Sequence, residues 1–193
     1  MRLENKTAIV TGAASGLGKS IVEKFLGEGS RVVIVDVNES AARDLSATLG
    51  AKTLAVKTDV GDTSSVENLK KVVFENFDSV DVVVNNAGVT HLPTPLDEVT
   101  EADFDRVFRV NCKSVYLMAK AFVPRMKKQG SGSILNIAST AGVSPRPNLN
   151  WYNSSKGWMN TATRTMAVEL APFGVRVNAV NPVASETPLL ASF

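Results

Sequence analysis

The chain has 193 residues, a hydrophobic fraction of 44%, a charged fraction of 21% and a formal net charge of +2. This length fits one α/β domain over residues 1–193. The small net charge gives no reason to expect a nucleic acid or an anionic membrane as a partner. No apolar run approaches the ~20 residues that span a bilayer. Charges near the start do not fit a signal peptide, so a cytoplasmic location is expected. The single cysteine excludes a thiolate metal cluster, and no metal site is predicted.

Short β-branched runs alternate with helical patterns along the whole chain. The sequence predicts strands near residues 8–10, 31–35, 53–56, 80–84, 133–137 and 175–180. It predicts helices near residues 17–28, 40–49, 63–77, 101–128 and 151–171. The apolar runs are nearly continuous, as in strands that are covered on both faces. This alternation implies right-handed βαβ units and a three-layer, doubly wound parallel sheet of the Rossmann-like type, which binds ligands beyond the carboxyl ends of its strands.

A glycine-rich turn joins the first predicted strand to the first predicted helix. Gly12, Gly16 and Gly18 allow unusual backbone angles and the close approach of a pyrophosphate. The helix N-terminus adds free N–H groups. Asp36 ends the second strand, where a carboxylate can accept hydrogen bonds from both ribose hydroxyls and repel a 2′-phosphate. The pattern therefore predicts NAD as the cofactor, with NADP disfavoured.

The same turn has an alternative interpretation as the phosphate-binding loop of a nucleotide hydrolase. Residues 13–20 resemble the pattern G-x-x-x-x-G-K-[ST], but Ala13 stands where the first glycine is required. The fourth strand ends in Asn85 and not in a magnesium-binding aspartate. Lys19 is therefore interpreted as a solvated helix residue, and the hydrolase is a minor alternative.

Tyr152 and Lys156 are the most informative pair of the chain. They lie four residues apart, so both project from one face of a predicted helix. A tyrosine titrates near pH ~10 in isolation, and a nearby cation is expected to lower that pKa toward neutral. A general acid/base for the interconversion of alcohol and carbonyl needs this property. The alternative is a surface pair on an amphipathic helix, which the glycine turn and Asp36 disfavour.

The whole chain resembles the classical short-chain dehydrogenase/reductase family. Thr11-Gly12-x-x-x-Gly16-x-Gly18 is similar to the family's cofactor turn, Asp59-Val60 to its adenine contact, and Asn85-Asn86-Ala87-Gly88 to its fourth-strand motif. The family's catalytic tetrad is matched in order and spacing by Asn111, Ser139, Tyr152 and Lys156. The segment that meets the nicotinamide carboxamide is matched by Asn181-Pro182 with Thr187.

This resemblance implies a role for each matched residue. Tyr152 would exchange the proton with the substrate oxygen, and Ser139 would orient that oxygen. Lys156 would lower the tyrosine pKa and bind the nicotinamide ribose, and Asn111 would hold a water that links Lys156 to solvent. The implied cofactor-binding residues are Gly12, Ser15, Gly16, Leu17, Gly18, Asp36, Asp59, Val60, Asn85, Ala87, Gly88, Tyr152, Lys156, Pro182 and Thr187. Two of them have structural alternatives: Asn85 as a bond between strands and Asp59 as a helix cap.

The sequence thus predicts an NAD(H)-dependent oxidoreductase that interconverts a secondary alcohol and a ketone, or reduces a carbonyl. A catalytically silent nucleotide-binding or interaction protein on the same fold is the alternative. The expected partner is a small alcohol or carbonyl compound of unspecified identity. The resemblance also implies a dimer or tetramer through the two long helices. Four residues would form an apolar face there or pack against the sheet: Val107, Val115, Met159 and Met166.

The resemblance finally bears on the end of the chain. Family members continue with a segment that covers the substrate, a further helix and a seventh strand. Because the sequence stops at Phe193, it predicts a substrate lid truncated after about residue 187 and a missing C-terminal strand.

Overall fold

A computed structural model of the protein describes residues 1–183, which form a six-stranded parallel sheet flanked by helices. The strands are β1 (Thr7–Thr11), β2 (Arg31–Asp36), β3 (Thr53–Lys57), β4 (Val82–Asn85), β5 (Gly132–Ile137) and β6 (Val175–Val180). The helices are α1 (Gly16–Gly27), α2 (Glu39–Leu49), α3 (Thr63–Asn76), α4 (Glu101–Phe108), α5 (Ser114–Gln129) and α6 (Asn150–Leu170). The order of the strands is β3-β2-β1-β4-β5-β6. The predicted Rossmann-like fold is therefore confirmed.

Both faces of the sheet are covered by a hydrophobic core. Successive residues of a strand point to opposite faces, and β2 shows this division directly. Val33 and Val35 pack into one cluster, with side chains from α3 and α5. Val32 and Ile34 pack into the other, with side chains from α1 and α2. Burial on both faces explains why the strand sequences are continuously apolar.

The helix predicted over residues 101–128 contains an irregular turn. Helix α4 runs directly into a π-helical turn, Arg109–Lys113, which runs directly into α5. Such a turn inserts one residue into the helical repeat and often marks a functional site. Here it carries Asn111 and Cys112, both buried. Hydrophobic periodicity does not reveal a single inserted residue, so the sequence predicted a regular helix.

The four residues suggested as an apolar oligomer face lie inside the fold. Val107, Val115 and Met159 are at most 1% exposed, and Met166 packs against the core. Of the two alternatives, packing inside the fold is the one that the structure shows. Within the described residues, no helix combines the length and the apolar character needed to cross a membrane.

Strand order determines where a ligand can bind. The chain proceeds outward from β1 to β3 on one side of the sheet and from β4 to β6 on the other. Loops following β1 and β4 therefore diverge and leave a crevice at the carboxyl ends of these neighbouring strands. The predicted site residues Asp36, Asn85 and Ser139 lie at or just after strand ends on this edge.

Candidate active site

A cleft of about 660 Å³ occupies this edge of the sheet. It brings together most of the predicted site residues, namely Gly12, Ser15, Gly16, Leu17, Asp36, Asp59, Val60, Ala87, Gly88, Ser139, Tyr152, Lys156 and Pro182. Gly18, Asn85 and Asn111 do not line the cleft and lie behind its walls. Thr187 lies outside the described residues.

The glycine turn forms one wall and is packed too tightly for side chains. Gly12 and Gly16 have positive φ angles of 60° and 51°, which favour glycine. A Cβ atom at Gly12 would lie 2.8 Å from the Cα of Ala87. A Cβ atom at Gly18 would lie 2.1 Å from the carbonyl oxygen of Gly12. Gly18 thus lets helix α1 approach the turn, and it shapes the cleft without touching it.

Asn86 holds this turn in place, although the sequence analysis did not select it. Its Nδ2 donates to the carbonyls of Thr11 at 2.8 Å and Gly12 at 3.0 Å. In return, Oγ1 of Thr11 accepts from the backbone N–H groups of Asn86 and Ala87, both at 3.0 Å. The cluster joins the ends of β1 and β4. The Asn-Asn-Ala-Gly motif contains Asn86, but its hydrogen-bond partners in the glycine turn are evident only from the structure.

The start of α1 suits a bound anion. Its N-cap residue, Ser15, makes no capping hydrogen bond through its side chain. By contrast, the N-cap side chains of α2, α3 and α4 each accept a hydrogen bond from a backbone N–H of their own helix; these residues are Asn38, Asp62 and Thr100. Helix α1 also has no acidic residue in its first turn. Its first N–H groups and positive dipole end therefore face the cleft beside the glycine turn, as a pyrophosphate requires.

Asp36 lies at the end of β2 and is held rigidly. Its Oδ2 accepts from the backbone N–H of Ala14 and its Oδ1 from that of Asn38, both at 3.0 Å. Each carboxylate oxygen can accept more than one hydrogen bond, so capacity remains for two ribose hydroxyls. The carboxylate is therefore oriented before any ligand binds.

Asp59 pairs with an arginine that the sequence analysis did not select. Arg109 Nη1 lies 2.6 Å from Asp59 Oδ2, and the backbone N–H of Gly61 donates to Oδ1 at 2.9 Å. The cap of α3 is Asp62, so the helix-cap alternative for Asp59 is wrong. Asp59, Val60 and Arg109 together line the cleft at the end of β3. The pairing spans 50 residues and has no local sequence signal.

Asn85 belongs to a buried polar chain that crosses the sheet. Its Nδ2 donates to Oδ1 of Asn136 in β5, and Nδ2 of Asn136 donates to Oγ1 of Thr163 in α6, both at 2.8 Å. The chain ties β4 and β5 to the helix that carries Tyr152. Asn85 therefore has the structural role that was the alternative to cofactor binding, a hydrogen bond between neighbouring strands.

Ser139, Tyr152 and Lys156 meet on the other side of the cleft. Ser139 follows β5, and its side chain forms a hydrogen bond with that of Tyr152. Lys156 lies one turn further along α6, with Nζ 5.9 Å from the centre of the Tyr152 ring. This Nζ donates to the carbonyl of Ile137, the last residue of β5, at 2.8 Å. All three side chains are nearly buried, at 8%, 5% and 4% exposure, so the surface-pair alternative is wrong.

Burial dominates the ionisation of this group. It raises the pKa of the Tyr152 phenol, and the hydrogen bond with Ser139 acts in the opposite direction. Burial also lowers the pKa of Lys156 to about 8. The expectation that a neighbouring cation lowers the Tyr152 pKa is therefore wrong for this arrangement. The reason is that removing the phenolate from water costs more free energy than its hydrogen bond with Ser139 contributes.

Asn111 lies behind Gly88 and beside Lys156. Its side chain both accepts from the N–H and donates to the carbonyl of Val89, each at 2.9 Å, and also donates to Oγ of Ser155 at 2.9 Å. A Cβ atom at Gly88 would lie 3.4 Å from Lys156 Nζ and 3.5 Å from Asn111 Oδ1. The side chain of Asn111 thus fastens the loop after β4 to α6. A water bound by its amide remains a prediction.

Lys19 decides the hydrolase alternative. It lies on the outside of α1, about half exposed, with Nζ 3.9 Å from Glu23. It does not line the cleft, where a phosphate-binding lysine would lie. The interpretation as a solvated helix residue is confirmed.

The strand order and the cleft are those of an α/β protein that binds a nucleotide in a crevice. The polar group of Ser139, Tyr152 and Lys156 lies at the far end of this crevice. A family model described as short chain dehydrogenase matches residues 6–193. The chain belongs to this family, and the predicted resemblance is confirmed.

Individual relatives extend this finding. The 4-formylbenzenesulfonate dehydrogenase of Comamonas testosteroni is 41% identical, over 100% of this chain and 78% of the relative. The galactitol 2-dehydrogenase of Agrobacterium fabrum is 37% identical, over 94% and 71%. The crystal structure of a 3-ketoacyl-(acyl-carrier-protein) reductase from Brucella melitensis, complexed with NADH, has a TM-score of 0.97 and 42% identity over 99% of this chain and 80% of that one. The predicted class of enzyme, an oxidoreductase of this family, is confirmed.

Proposed function

We propose that the protein interconverts a secondary alcohol and a ketone, or reduces a carbonyl, with NAD(H) and with Tyr152 as the general acid/base. One observation carries this proposal: the buried, hydrogen-bonded Ser139 and Tyr152, with Lys156 beside them, share a cleft with the glycine turn and Asp36. A nicotinamide cofactor supplies or removes the hydride, and the chain supplies orientation and the proton.

The cleft fits NAD(H) along its length. The glycine turn and the free start of α1 accommodate a pyrophosphate, and Asp36 offers acceptors for the adenosine ribose. Asp59 and Val60 would hold the adenine at one end of the cleft. Ala87, Gly88, Lys156 and Pro182, which also line the cleft, would hold the nicotinamide at the other end. The NADH in the similar Brucella reductase supports the same choice.

The proton moves through Tyr152. In the direction of reduction, its hydroxyl gives a proton to the substrate oxygen. In the direction of oxidation, its phenolate takes the proton of the substrate hydroxyl. Ser139, which follows β5, forms a hydrogen bond with Tyr152. Both hydroxyls can therefore contact one substrate oxygen. Lys156 is held by Ile137 with two donors remaining, which suit the nicotinamide ribose.

Asp36→Ala is expected to weaken NADH binding about 10–100-fold and to narrow the preference for NADH over NADPH. The reason is that charged hydrogen bonds contribute about 1.5–3 kcal/mol each, and the alanine no longer repels a 2′-phosphate. NADH and NADPH fluorescence titrations measure both affinities. Asp36→Asn is a second variant that removes the charge and keeps one acceptor oxygen, so one of the N–H groups of Ala14 and Asn38 can retain its side-chain acceptor. Tighter binding of NADPH than NADH by the unmodified protein would contradict the assignment.

A homo-oligomer stays part of the proposal, with a different apolar face. Tyr116 on α5 and Trp158 and Val168 on α6 are 54%, 40% and 77% exposed. Covering such side chains is favourable, and the family resemblance implies that symmetry mates would pack against these helices. Light scattering is expected to give the mass of a dimer or tetramer, and a monomer at micromolar concentration would refute this. The cytoplasmic location stays a prediction.

A further inference from the structure

We propose that Arg146 binds an anionic group of the substrate, so that the preferred substrates are carbonyl compounds, or the matching alcohols, that carry a sulfonate, carboxylate or phosphate. This inference rests on the proposed function, because it places the reacting carbon at Tyr152. It adds a substrate class that the catalytic group alone does not specify.

Arg146 lies at the catalytic end of the cleft. It lines the same wall as Ser139, Leu149 and Tyr152. The side chain is exposed, and within residues 1–183 its guanidinium has no hydrogen bond or ion pair with the protein. An arginine presents several donors in a planar fork that matches the oxygens of carboxylates and oxyanions.

The other arginines of the cleft are already engaged. Arg106 donates to the carbonyl of Thr90 at 3.0 Å and to Asp103 at 2.8 Å. Arg109 is paired with Asp59. Among the cleft-lining residues that the structure describes, Arg146 is thus the arginine whose charge and donors are fully available to a ligand. Lys156, a further cation of the lining, is buried and already donates to Ile137.

The charges along the cleft are separated. The carboxylates that line its described part are Asp36 and Asp59, at the ends of β2 and β3. Ser139 follows β5, three strands from β2 and four from β3, or ~14 and ~19 Å at the usual strand spacing. These distances exceed the Debye length of ~8 Å at physiological ionic strength. Among the described lining residues, the catalytic end therefore carries the cations Arg146 and Lys156 and no carboxylate, which favours an anion.

The backbone holds Arg146 in position. Pro145 and Pro147 flank it, and a proline restricts both its own φ angle and the residue before it. The carbonyl of Arg146 accepts from Nδ2 of Asn153 at 2.7 Å. Asn153 is buried and adjoins Tyr152 on α6. The cation is thus attached to the helix turn that presents the proposed general acid.

Leu149 adds an apolar surface to the proposed anion site. It is 5% exposed and lines the cleft with Arg146 and Tyr152. A substrate with an apolar body between its carbonyl and its anionic group would match this order of contacts. Para-substituted benzaldehydes are suitable probes, because the substituent changes charge while the reacting group stays the same.

Steady-state kinetics with NADH test the proposal on three such probes: 4-formylbenzenesulfonate, 4-formylbenzoate and the neutral 4-methylbenzaldehyde. The wild type should favour the two anions in kcat/KM. Arg146→Gln should lower kcat/KM for the anions about 10–100-fold, mainly through KM, and leave the neutral probe within about twofold. Arg146→Lys should restore part of the loss. Arg176→Gln is the matched control. It removes an exposed arginine at the start of β6, which is the end of the strand away from the cleft, and it should leave kcat/KM unchanged for the anionic and the neutral probes.

A binding measurement keeps the test independent of turnover. Benzenesulfonate, an unreactive anion, should change the fluorescence of NADH bound to the wild type and do so at much higher concentration with Arg146→Gln. Equal loss for charged and neutral probes, or equal benzenesulfonate binding by both proteins, overturns the inference. Weaker NADH binding by Arg146→Gln also overturns it, because Arg146 would then serve a cofactor phosphate. Failure of the proposed function has a different signature: NADH and benzenesulfonate bind, but a carbonyl panel gives no turnover that depends on Tyr152.

Discussion

Tyr152→Phe is expected to lower turnover about 10²–10⁴-fold, the usual contribution of a general acid/base, while the fold and NADH binding are retained. The substitution removes the hydroxyl and keeps the ring, which is 5% exposed and well packed. The hydroxyl is the group that bonds Ser139 and that would exchange the proton. Initial rates on a carbonyl panel, NADH fluorescence titration and circular dichroism measure the three effects.

Tyr116→Phe is the matched control, because it removes a hydroxyl from a tyrosine on α5 that does not line the cleft. Its activity should remain near that of the wild type. Near-normal turnover by a folded Tyr152→Phe protein would refute the mechanism. Wild-type protein that binds NADH and turns over no carbonyl compound would favour the catalytically silent alternative.

The Tyr152 pKa also sets the direction of the pH dependence. Burial raises it, so the phenol predominates at neutral pH. Reduction, which needs the phenol, should proceed well near pH 7. Oxidation, which needs the phenolate, should increase through the alkaline range. Tyr152→Phe should abolish that increase, which identifies the titrating group.

Lys156→Met is expected to have opposite effects on stability and activity. Lowering the Lys156 pKa from 10.5 to about 8 destabilises its charged form by roughly 3 kcal/mol. Methionine fills a similar volume without a buried charge. It loses the hydrogen bond that the charged Nζ donates to Ile137, worth about 1.5–3 kcal/mol. At pH 7 the variant should therefore be more stable by about 0.5–2 kcal/mol, yet slower and weaker in NADH binding.

The pH dependence of stability separates this cause from better packing. Below pH 8 the folded and unfolded chains both bind the Lys156 proton, so the full cost of burial is present. Between about pH 8 and 10.5 the folded chain loses this proton first, and the wild type gains stability relative to the variant. Urea unfolding at pH 7 and pH 9.5 should show the difference shrinking. Lys128→Met, at an exposed position, should show no such change, and a constant difference for Lys156→Met would exclude the buried charge as its cause.

Much of the architecture follows from local patterns in the sequence. Alternating strands and helices predicted the sheet, because continuous apolar runs such as Val32–Val35 are stable only between two covering layers. The glycine turn, Asp36 and the spacing of Tyr152 and Lys156 predicted which strand ends form the site. Each of these signals lies within a few residues, and chain topology then brings the strand ends together.

The remaining features depend on contacts distant in sequence. The pair Asp59 and Arg109 and the bonds of Asn86 to the glycine turn join segments 50 to 75 residues apart. The pKa of Tyr152 also depends on contacts that are distant in sequence. Helical spacing indicates that a lysine is near, but it does not show how completely the packed chain excludes water. Burial therefore reversed a prediction that used the neighbouring charge alone.

The attachment of the loops around the catalytic end has a practical consequence for engineering. The loop after β4 and the loop before α6 are joined through their backbones, by the N–H of Thr94 and the carbonyl of Asn148 at 2.9 Å. Helix α6 is anchored separately, by Ser155 to Asn111 and by Thr163 to Asn136. Side chains in both loops can therefore be randomised while the chemical machinery keeps its support. Directed evolution of this scaffold should redirect substrate choice from positions 92–96 and 143–148, without a compensating redesign of the cofactor crevice.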